Sequence, residues 1–347
     1  MVNSKWRIGV DVGGTFTDVA IVNEEDGTMG VAKVSSTPED FGVGVLKAIE
    51  QALKKYKIQS NDVSLLAHAT TVVTNAILEE KGARVGLVST VGFRDILELR
   101  RSARADLYDL FQDPPSVLVQ RRNRFEITER IDAEGQVVIP IIEDEIEQII
   151  SKLKTARVEA VAVSLLFSFL NDEHEALVGR RLRESLPNIP VFLSSEVLPE
   201  IREFERTSTT AICAYVGPIL SSYLARLKNS VTEKGLPTPY VMGSGGGLFE
   251  IEESLMMPAM AAESGPAAGV IAAALGGNQI NRANLLSFDM GGTTAKASLI
   301  KNGVIETTPE YEVGGEGSGS RWLHGTGHPI RVPVIDLAEV SAGGGSI

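Results

Sequence analysis

Residues 8–22 read IGVDVGGTFTDVAIV, and residues 286–300 repeat the pattern as LSFDMGGTTAKASLI. In each stretch an apolar run ends in Asp-x-Gly-Gly-Thr and a second apolar run follows, with Asp11 aligned to Asp289. This pattern predicts a strand, a tight turn and a second strand. An internal repeat of this kind indicates two related half-structures that face each other.

The turn in each copy suits a polyphosphate. Glycines let backbone N–H groups approach an anion without a Cβ in the way, and the threonine hydroxyl adds a donor. The preceding aspartate can hold Mg²⁺, often through water, because this ion prefers oxygen ligands and retains water. One such loop is equally compatible with an ordinary hairpin. Two copies in register predict opposed loops that grip a polyphosphate, with a metal between the carboxylates of Asp11 and Asp289.

Composition restricts the class of protein. The chain has 347 residues, 33 basic and 45 acidic side chains, and a formal net charge of -12. This balance argues against a nucleic-acid partner, which requires a basic face. Cys213 is the single cysteine, so an intrachain disulfide is excluded and a structural zinc site is disfavoured. The polar first residues and the short apolar stretches lead us to expect a cytoplasmic protein without a membrane span.

The order of predicted elements indicates an α/β fold of about two domains. The first seven elements, strand-strand-strand-helix-strand-helix-strand, resemble a ribonuclease-H-like core that ends with a strand at residues 84–89. Many arginines and the pair Pro114-Pro115 predict an irregular insertion around residues 92–140. A long helix is predicted over residues 200–227, with an interruption near Gly217-Pro218.

The two loops resemble the phosphate loops of the actin, heat-shock chaperone and sugar-kinase superfamily. More narrowly, nearly the whole chain resembles the hydantoinase A and 5-oxoprolinase family. The supporting segments are residues 68–75 (HATTVVTN), 92–95 (GFRD), 107–110 (LYDL), 202–210 (REFERTSTT), 243–247 (GSGGG) and 264–266 (SGP).

The resemblance implies an α/β fold of duplicated ribonuclease-H-like domains, as in actin-like ATPases. Residues 1–195 are expected to form the N-terminal domain, with the insertion around 92–140. Residues 196–347 are expected to begin the second domain, which carries the second phosphate loop. Because few residues follow that loop, we expect an incomplete second copy and a fragment that alone binds ATP weakly or not at all. Incompletely covered strands there are expected to favour self-association.

The family implies an ATP-dependent reaction with Mg²⁺. Its members hydrolyse a cyclic amide, such as a hydantoin or 5-oxoproline, by phosphorylating the ring carbonyl, or they carboxylate ketones. The implied catalytic residues are Asp11, Asp18 and Asp289, of which Asp11 and Asp289 would hold the metal. The implied phosphate-binding residues are Gly13, Gly14, Thr15, Gly291, Gly292, Thr293, Thr294 and Lys296.

Three functions are open at this point. The chain is an ATP-binding A-type subunit of a cyclic amidohydrolase with a hydantoinase B-type partner, in a homo- or hetero-oligomer. Alternatively, it is the ATP-using subunit of an acetone- or acetophenone-type carboxylase. A third possibility is a nucleotide-gated module without catalysis.

Several residues have two possible roles. Lys296 either pairs with phosphate or is a solvated strand residue, and Asp18 either faces substrate or metal or is a surface carboxylate. Three residues near a predicted helix start either meet an anion or carbonyl or, for the first of them, cap the helix: Thr70, Thr71 and Asn75. His68 either contacts substrate or lies in the core. The arginines of residues 94–104 either recognise an acidic substrate group or form a solvated face.

Overall fold

The computed structural model describes residues 5–37, 39–102, 108–111, 113–291, 294–315, 326–340 and 343–344. Within them the first ten strands are β1 (Trp6–Val12), β2 (Phe16–Asn23), β3 (Met29–Ser35), β4 (Val63–Thr70), β5 (Val85–Thr90), β6 (Arg124–Ile127), β7 (Arg130–Ile131), β8 (Val137–Ile139), β9 (Ala160–Ser164) and β10 (Val191–Leu193). The later strands are β11 (Tyr240–Met242), β12 (Leu248–Phe249), β13 (Leu285–Met290), β14 (Ala295–Lys301), β15 (Val304–Ile305), β16 (Thr307–Thr308), β17 (Tyr311–Val313), β18 (His328–Ile330), β19 (Val334–Ile335) and β20 (Ala338–Val340).

The α-helices of the described residues are α1 (Phe41–Tyr56), α2 (Val72–Leu78), α3 (Ile96–Leu99), α4 (Glu143–Ala156), α5 (Glu173–Ser185), α6 (Ser194–Val197), α7 (Glu203–Glu233), α8 (Ile251–Met256) and α9 (Ser264–Gln279). Among these residues, no helix combines the length and the apolar character that crossing a membrane requires.

The first sheet has six strands in the order β12-β11-β4-β1-β2-β3. Strands β1, β2 and β3 form an antiparallel meander, while β4 runs parallel to β1 and β11 runs parallel to β4. This arrangement confirms the predicted α/β class. It also places the carboxyl ends of β1, β4 and β11 at one edge of the sheet, where open α/β sheets bind ligands.

The predicted last strand of this core, at residues 84–89, was assigned to the wrong sheet. It corresponds to β5, which lies in a second, fully parallel sheet of order β10-β9-β5-β6. In the first sheet the strand next to β4 is instead β11, from much later in the chain. All six residues of β5 are buried in the second sheet. Sheet pairing therefore runs across residue 195, and the division into residues 1–195 and 196–347 stays a prediction.

The predicted interruption of the long helix is also wrong. Helix α7 runs without a break for 31 residues and contains Pro218 in its interior. Proline in a helix costs about 3 kcal/mol through a lost hydrogen bond and a clash. The helix is retained because it is packed on both sides of the proline, with Val216 and Leu220 fully buried.

Helix α9 forms a layer between the two copies of the repeat. Its side chains Ala267, Val270 and Ala274 pack with Ile300 of β14 in one apolar cluster. On its other side the helix contacts β4 and β11 of the first sheet. The second copy, β13 and β14, is thereby held against the first sheet through this helix, and residues 333–336 add hydrogen bonds to Ser244 and to Ser298 of β14.

The two copies differ in how their apolar faces are covered. In the first copy, Ile8, Val10, Val12 and Ile21 share a core with helix α1 and are 0–3% exposed. The residues at the same positions of the second copy, Leu286, Phe288, Met290 and Leu299, are 51–65% exposed. A contiguous apolar sheet face of this kind favours association.

We expect a serine at Phe288 to reduce self-association with little effect on folding. Phe288→Ser removes apolar surface that the described residues leave open, whereas Val10→Ser, its matched control, places a hydroxyl in the core and should cost about 2–4 kcal/mol. Light scattering and thermal unfolding measure both effects. An unchanged associated fraction in Phe288→Ser would contradict the role of this face.

Candidate functional site

The two glycine turns are closed by equivalent backbone hydrogen bonds. The Gly13 N–H donates to the Phe16 carbonyl at 2.9 Å, and the Gly291 N–H donates to the Thr294 carbonyl at the same 2.9 Å. On the flanking strands Asp11 lies opposite Asp18, and Asp289 lies opposite Lys296. The structure therefore reproduces the repeat as two strand-turn-strand units. Gly292 and Thr293 lie outside the described residues.

The first loop is held by the strand ends around it. Ser36, directly after β3, donates its hydroxyl to the Gly13 carbonyl at 2.7 Å and its N–H to the Thr15 carbonyl at 2.9 Å. The Thr71 N–H donates to the Val12 carbonyl at 3.3 Å, which joins the start of α2 to the end of β1. These contacts leave Gly14 and the Thr15 side chain exposed to solvent.

The first turn of α9 lies directly against Asp11. A Cβ on Gly265 would be 2.7 Å from Asp11 Oδ1, so only glycine allows this approach. Ser264 fixes the helix to β4, because its hydroxyl accepts from the Thr70 N–H at 3.0 Å and donates to the Thr70 carbonyl at 3.1 Å. The Asp11 carboxylate is thus an anionic group of the protein itself that lies beside the start of α9.

Asp11 lies at a concentration of negative charge. Surrounding protein, with Asp18 and Asp289 as further causes, raises the pKa of Asp11 to about 6, and Lys33 acts in the opposite direction. The side chain is nevertheless accessible to solvent, so it does not lie in the interior. We call the partly enclosed surface around Asp11, Asp18 and Asp289 the recess. Asp289 is the third of the causes that raise this pKa, so the second repeat copy lies within electrostatic reach of Asp11.

Asp18 is engaged with a neighbouring strand. Both of its carboxylate oxygens accept from Lys33 Nζ, at 2.8 and 2.7 Å. The two side chains are about half exposed, as expected for an ion pair at the rim of a recess. Asp18 therefore contributes charge to the environment of Asp11 while its own charge is balanced by Lys33.

Lys296 is neither solvated nor open toward the recess. Its Nζ contacts a carboxylate oxygen of Glu263 and lies 3.6 Å from Glu339 Oε1. The Lys296 side chain is 12% exposed and that of Glu263 is 4% exposed. Burial raises the pKa of Glu339, while the charge of Lys296 acts in the opposite direction and Glu263 adds to the increase. The phosphate role expected for Lys296 stays a prediction that competes with this buried arrangement.

The remaining candidates lie outside the recess or within the core. His68 is buried, and its Nε2 shares a 2.8 Å hydrogen bond with the Tyr223 hydroxyl. Burial lowers the pKa of His68 to about 4, so the ring is neutral. Helix α2 begins at Val72 with Thr71 as its N-cap residue, and the Thr70 hydroxyl accepts from the Val72 N–H at 3.2 Å.

Two further features serve the protein's own structure. Of the arginines of residues 94–104, Arg101 pairs with Glu205, Arg94 lies 3.8 Å from Glu126, and Arg100 donates to the Gly327 carbonyl, while Arg104 lies outside the described residues. The glycine loop of residues 243–247 is a tight turn, in which the Gly243 N–H donates to the Gly247 carbonyl at 2.8 Å.

Sequence reasoning missed two members of the site. Glu339 belongs to no motif and enters the site only because β20 pairs with β14. Lys33 could have been found by continuing the alternation of β2 through the hairpin, since it lies opposite Asp18. Lys296 was predicted as a possible phosphate partner, but its pairing with Glu263 was not predicted.

The recess fits a divalent ion that shares its coordination with water and phosphate. No group of three or more His, Cys, Asp or Glu side chains within the described ranges could hold a metal by itself. Mg²⁺ characteristically uses one or two carboxylates and fills its other positions with water and phosphate oxygens. Asp11 and Asp289 provide such a pair, in a recess where burial and then the charges of Asp18 and Asp289 raise the pKa of Asp11.

Comparison with protein families covers nearly the whole chain. Residues 7–186 match the hydantoinase/oxoprolinase N-terminal region, and residues 206–347 match the hydantoinase/oxoprolinase domain. The chain belongs to the hydantoinase/oxoprolinase family. The family resemblance seen in the sequence motifs is thereby confirmed.

Relatives within the hydantoinase/oxoprolinase family include proteins of different activity. An uncharacterised protein of Methanocaldococcus jannaschii is 44% identical over 346 residues, which are 99% of this chain and 50% of the relative. The caprolactamase alpha subunit of Pseudomonas jessenii is 34% identical over 100% of this chain and 49% of its own length. The chain thus spans about half the length of these relatives.

Solved structures of this family share the fold. The ATP-dependent caprolactamase from Pseudomonas jessenii matches with a TM-score of 0.85 at 32% identity, over 98% of this chain and 48% of the solved chain. A nucleotide-free acetone carboxylase structure matches with a TM-score of 0.83 at 26% identity, over 97% of this chain and 48% of the solved chain. The actin-like ATPase fold class is confirmed by these matches.

We expect an alanine at Gly265 to destabilise the protein. The added Cβ meets Asp11 Oδ1, so the strand end or the helix must shift at a cost of about 1–3 kcal/mol. Gly269→Ala on the same helix is the matched control, because a Cβ there meets open space and should stabilise by about 0.5–1 kcal/mol. Urea unfolding compares the two, and equal effects would contradict the close contact with Asp11.

Asp11→Asn should stabilise the metal-free protein at neutral pH. The raised pKa means that the folded state holds the proton more tightly than the unfolded state, so Asp11 lowers stability as pH rises from about 4 to 6. Solvent screening of this accessible group limits the gain at pH 7.5 to about 1 kcal/mol. Thermal unfolding in EDTA should show the gain fade below pH 5; a gain independent of pH would exclude this electrostatic origin.

Proposed function

We propose that the chain is the ATP-binding subunit of a cyclic amidohydrolase that phosphorylates the carbonyl oxygen of a lactam or related ring. The supporting observation is that the start of α9 links two equivalent Asp-x-Gly-Gly-Thr units: Gly265 lies against Asp11, and Glu263 contacts Lys296, which lies opposite Asp289. The caprolactamase relative supports a cyclic amide as substrate. Hydantoins, 5-oxoproline and caprolactam are the members of this class to examine.

The phosphate chain of ATP would lie between the two turns. Gly13, Gly14 and Thr15 face it from one side and Gly291 and Thr294 from the other, through N–H and hydroxyl donors. The neighbouring Gly292 and Thr293 belong to the same proposed set. Backbone donors fixed by the strands need no reorganisation as charge develops, which is the usual basis of phosphoryl-transfer catalysis.

Asp11 and Asp289 would hold Mg²⁺ in the proposed site. The ion would supply charge neutralisation for the phosphate oxygens, as it does in other phosphoryl transfers. Asp18 would act through its charge, since Lys33 already binds both of its oxygens.

The chemistry explains why a lactam requires this activation. An amide carbonyl is a poor electrophile, and its nitrogen is a poor leaving group. Attack of the carbonyl oxygen on the γ-phosphorus releases ADP and leaves a phosphorylated imidate, which water can attack at carbon. Expulsion of the ring nitrogen as an amine then opens the ring and leaves an acyl phosphate, and a second water releases inorganic phosphate to give the open-chain acid. A hydantoinase B-type partner subunit is proposed for the hydrolytic half, in a homo- or hetero-oligomer.

A second candidate is the ATP-using subunit of a ketone carboxylase. The specific observation in its favour is the fold shared with acetone carboxylase over almost the whole chain. The phosphate loops serve either reaction, so the acceptor distinguishes them. ATP binding without turnover, with or without a partner subunit, would instead support a nucleotide-gated module.

We expect phosphate release from ATP to depend on a cyclic amide. Purified protein, with and without a B-type partner, is assayed with 5-oxoproline, hydantoin, caprolactam, and acetone plus bicarbonate. Asp11→Asn and Asp289→Asn should each lower the amide-dependent rate by about 100-fold or more, because the metal that would neutralise the phosphate charge loses one of its carboxylate ligands. Asp144→Asn, an exposed acid on α4, is the control. Turnover with acetone and bicarbonate but with none of the cyclic amides would favour the second candidate. Absence of turnover with every acceptor would reject both.

A further inference from the structure

A row of charged cross-strand neighbours crosses each copy of the repeat at equivalent strand positions. In the first copy it runs across β1, β2 and β3, and in the second across β13, β14 and β20. The rows are Asp11, Asp18, Lys33 and Asp289, Lys296, Glu339. The leading aspartate is the same, while the acid and base at the next two positions are exchanged. Each row therefore joins an aspartate of the recess to a neighbouring ion pair.

The two ion pairs differ in burial. Lys33 and Asp18 are 55% and 49% exposed, and such pairs contribute little to stability. Lys296 and Glu263 are 12% and 4% exposed, and Glu339 next to them is 19% exposed. Removing one partner of a buried pair leaves an uncompensated charge away from water, which is strongly unfavourable. The second pair thus restrains the groups that it joins.

Glu263 is fixed to the first half of the site. Its backbone has a left-handed φ of 57°, and its N–H donates to the Thr74 hydroxyl of α2 at 3.2 Å. The next residue, Ser264, is bonded to the end of β4, and the residue after it, Gly265, touches Asp11. The Glu263 carboxylate consequently has a defined position relative to Asp11.

Lys296 belongs to the second half of the site. It lies opposite Asp289 on the strand that leaves the second glycine turn. The other contacts of this hairpin with α9 are apolar, as between Val270 and Ile300. Apolar contacts are not directional, and the hydrogen-bonded link from Ser298 through residues 333–336 to Ser244 meets the strand farther from the glycine turn than Lys296 does. The ion pair joins defined atoms of the two halves directly across from Asp289.

We propose that Lys296 and Glu263 form a positioning pair that sets the separation of the two phosphate loops. Lys296 is then a positioning residue and not a phosphate ligand, and Glu263 acts through it on Asp289. The spacing role is independent of ligand, whereas the effect on nucleotide rests on the proposed function. Glu339 contributes less to this positioning, because Glu263 alone balances the charge of Lys296.

The distance between the two hairpins tests the proposal without nucleotide. Spin labels on Ala20→Cys and Val304→Cys, both at exposed positions, report this distance by double electron–electron resonance. Native Cys213 stays unlabelled, because it is buried and burial raises its pKa to about 12. We expect a narrow distribution in the parent protein and a broader or longer one in Lys296→Met and in Glu263→Gln.

Matched variants separate this effect from a general loss of stability. Lys301→Met removes an exposed pair on the same hairpin, and Glu339→Gln leaves the Glu263 contact in place; both should keep the narrow distribution. Circular dichroism selects folded variants. Lys296→Arg, which retains the charge but not the shape, should give an intermediate distribution and replaces Lys296→Met if that variant does not fold. A parent-like distribution in folded Lys296→Met or Glu263→Gln would overturn the proposal.

Mg-ATP titration adds a second, independent readout. Misplaced loops should weaken binding by about tenfold or more in both Lys296→Met and Glu263→Gln. If Lys296 were a phosphate ligand, Glu263→Gln would free it and tighten binding, while the label distance would not change; that result would overturn the proposal. Absence of binding by the parent protein would count against the proposed function, and the distance measurement would still decide the positioning role.

Discussion

The close contact between the first turn of α9 and the carboxyl end of β1 is the constraint on which the site depends. Gly265 permits the contact, because any side chain there would displace Asp11. Ser264 fastens the same turn to β4, and Glu263 extends it to Lys296. Three consecutive residues thus join the first sheet, the recess and the second copy of the repeat. This turn fixes the relation of the two glycine loops next to Asp11, while the apolar packing of α9 and the hydrogen bonds of residues 333–336 to Ser244 and Ser298 hold the second copy farther from the loops.

The repeat conserves backbone geometry while its surroundings differ. Both turns close with the same 2.9 Å hydrogen bond, yet the first hairpin buries its apolar face against α1 and the second buries the opposite face against α9. The alternation of a strand fixes which residues share a face but not which face meets a helix. That choice depends on what packs there, and the chain spans about half the length of its relatives.

Local patterns in the sequence predicted the parts of the fold that depend on neighbouring residues. The two strand-turn-strand units follow from glycine chemistry and alternation, and both are present. Sheet membership was predicted less well. Strands β5 and β11 are each compatible with either sheet, and tertiary packing decides between the two. Pro218 was read as a helix breaker, but burial on both sides outweighs its cost. Glu339 could not be predicted, since only long-range strand pairing brings it to Lys296.

The charges of the recess bear on how a polyphosphate is bound there, on the proposed function. Both lysines of the two charged rows are engaged with carboxylates, Lys33 with Asp18 and Lys296 with Glu263. An anionic ligand that enters beside Asp11 and Asp289 therefore meets negative charge, and backbone N–H donors alone would have to oppose that repulsion. A divalent ion removes the conflict, because it is attracted by both the carboxylates and the phosphate oxygens. On the proposed function, the surplus of carboxylates would therefore make nucleotide binding conditional on the metal.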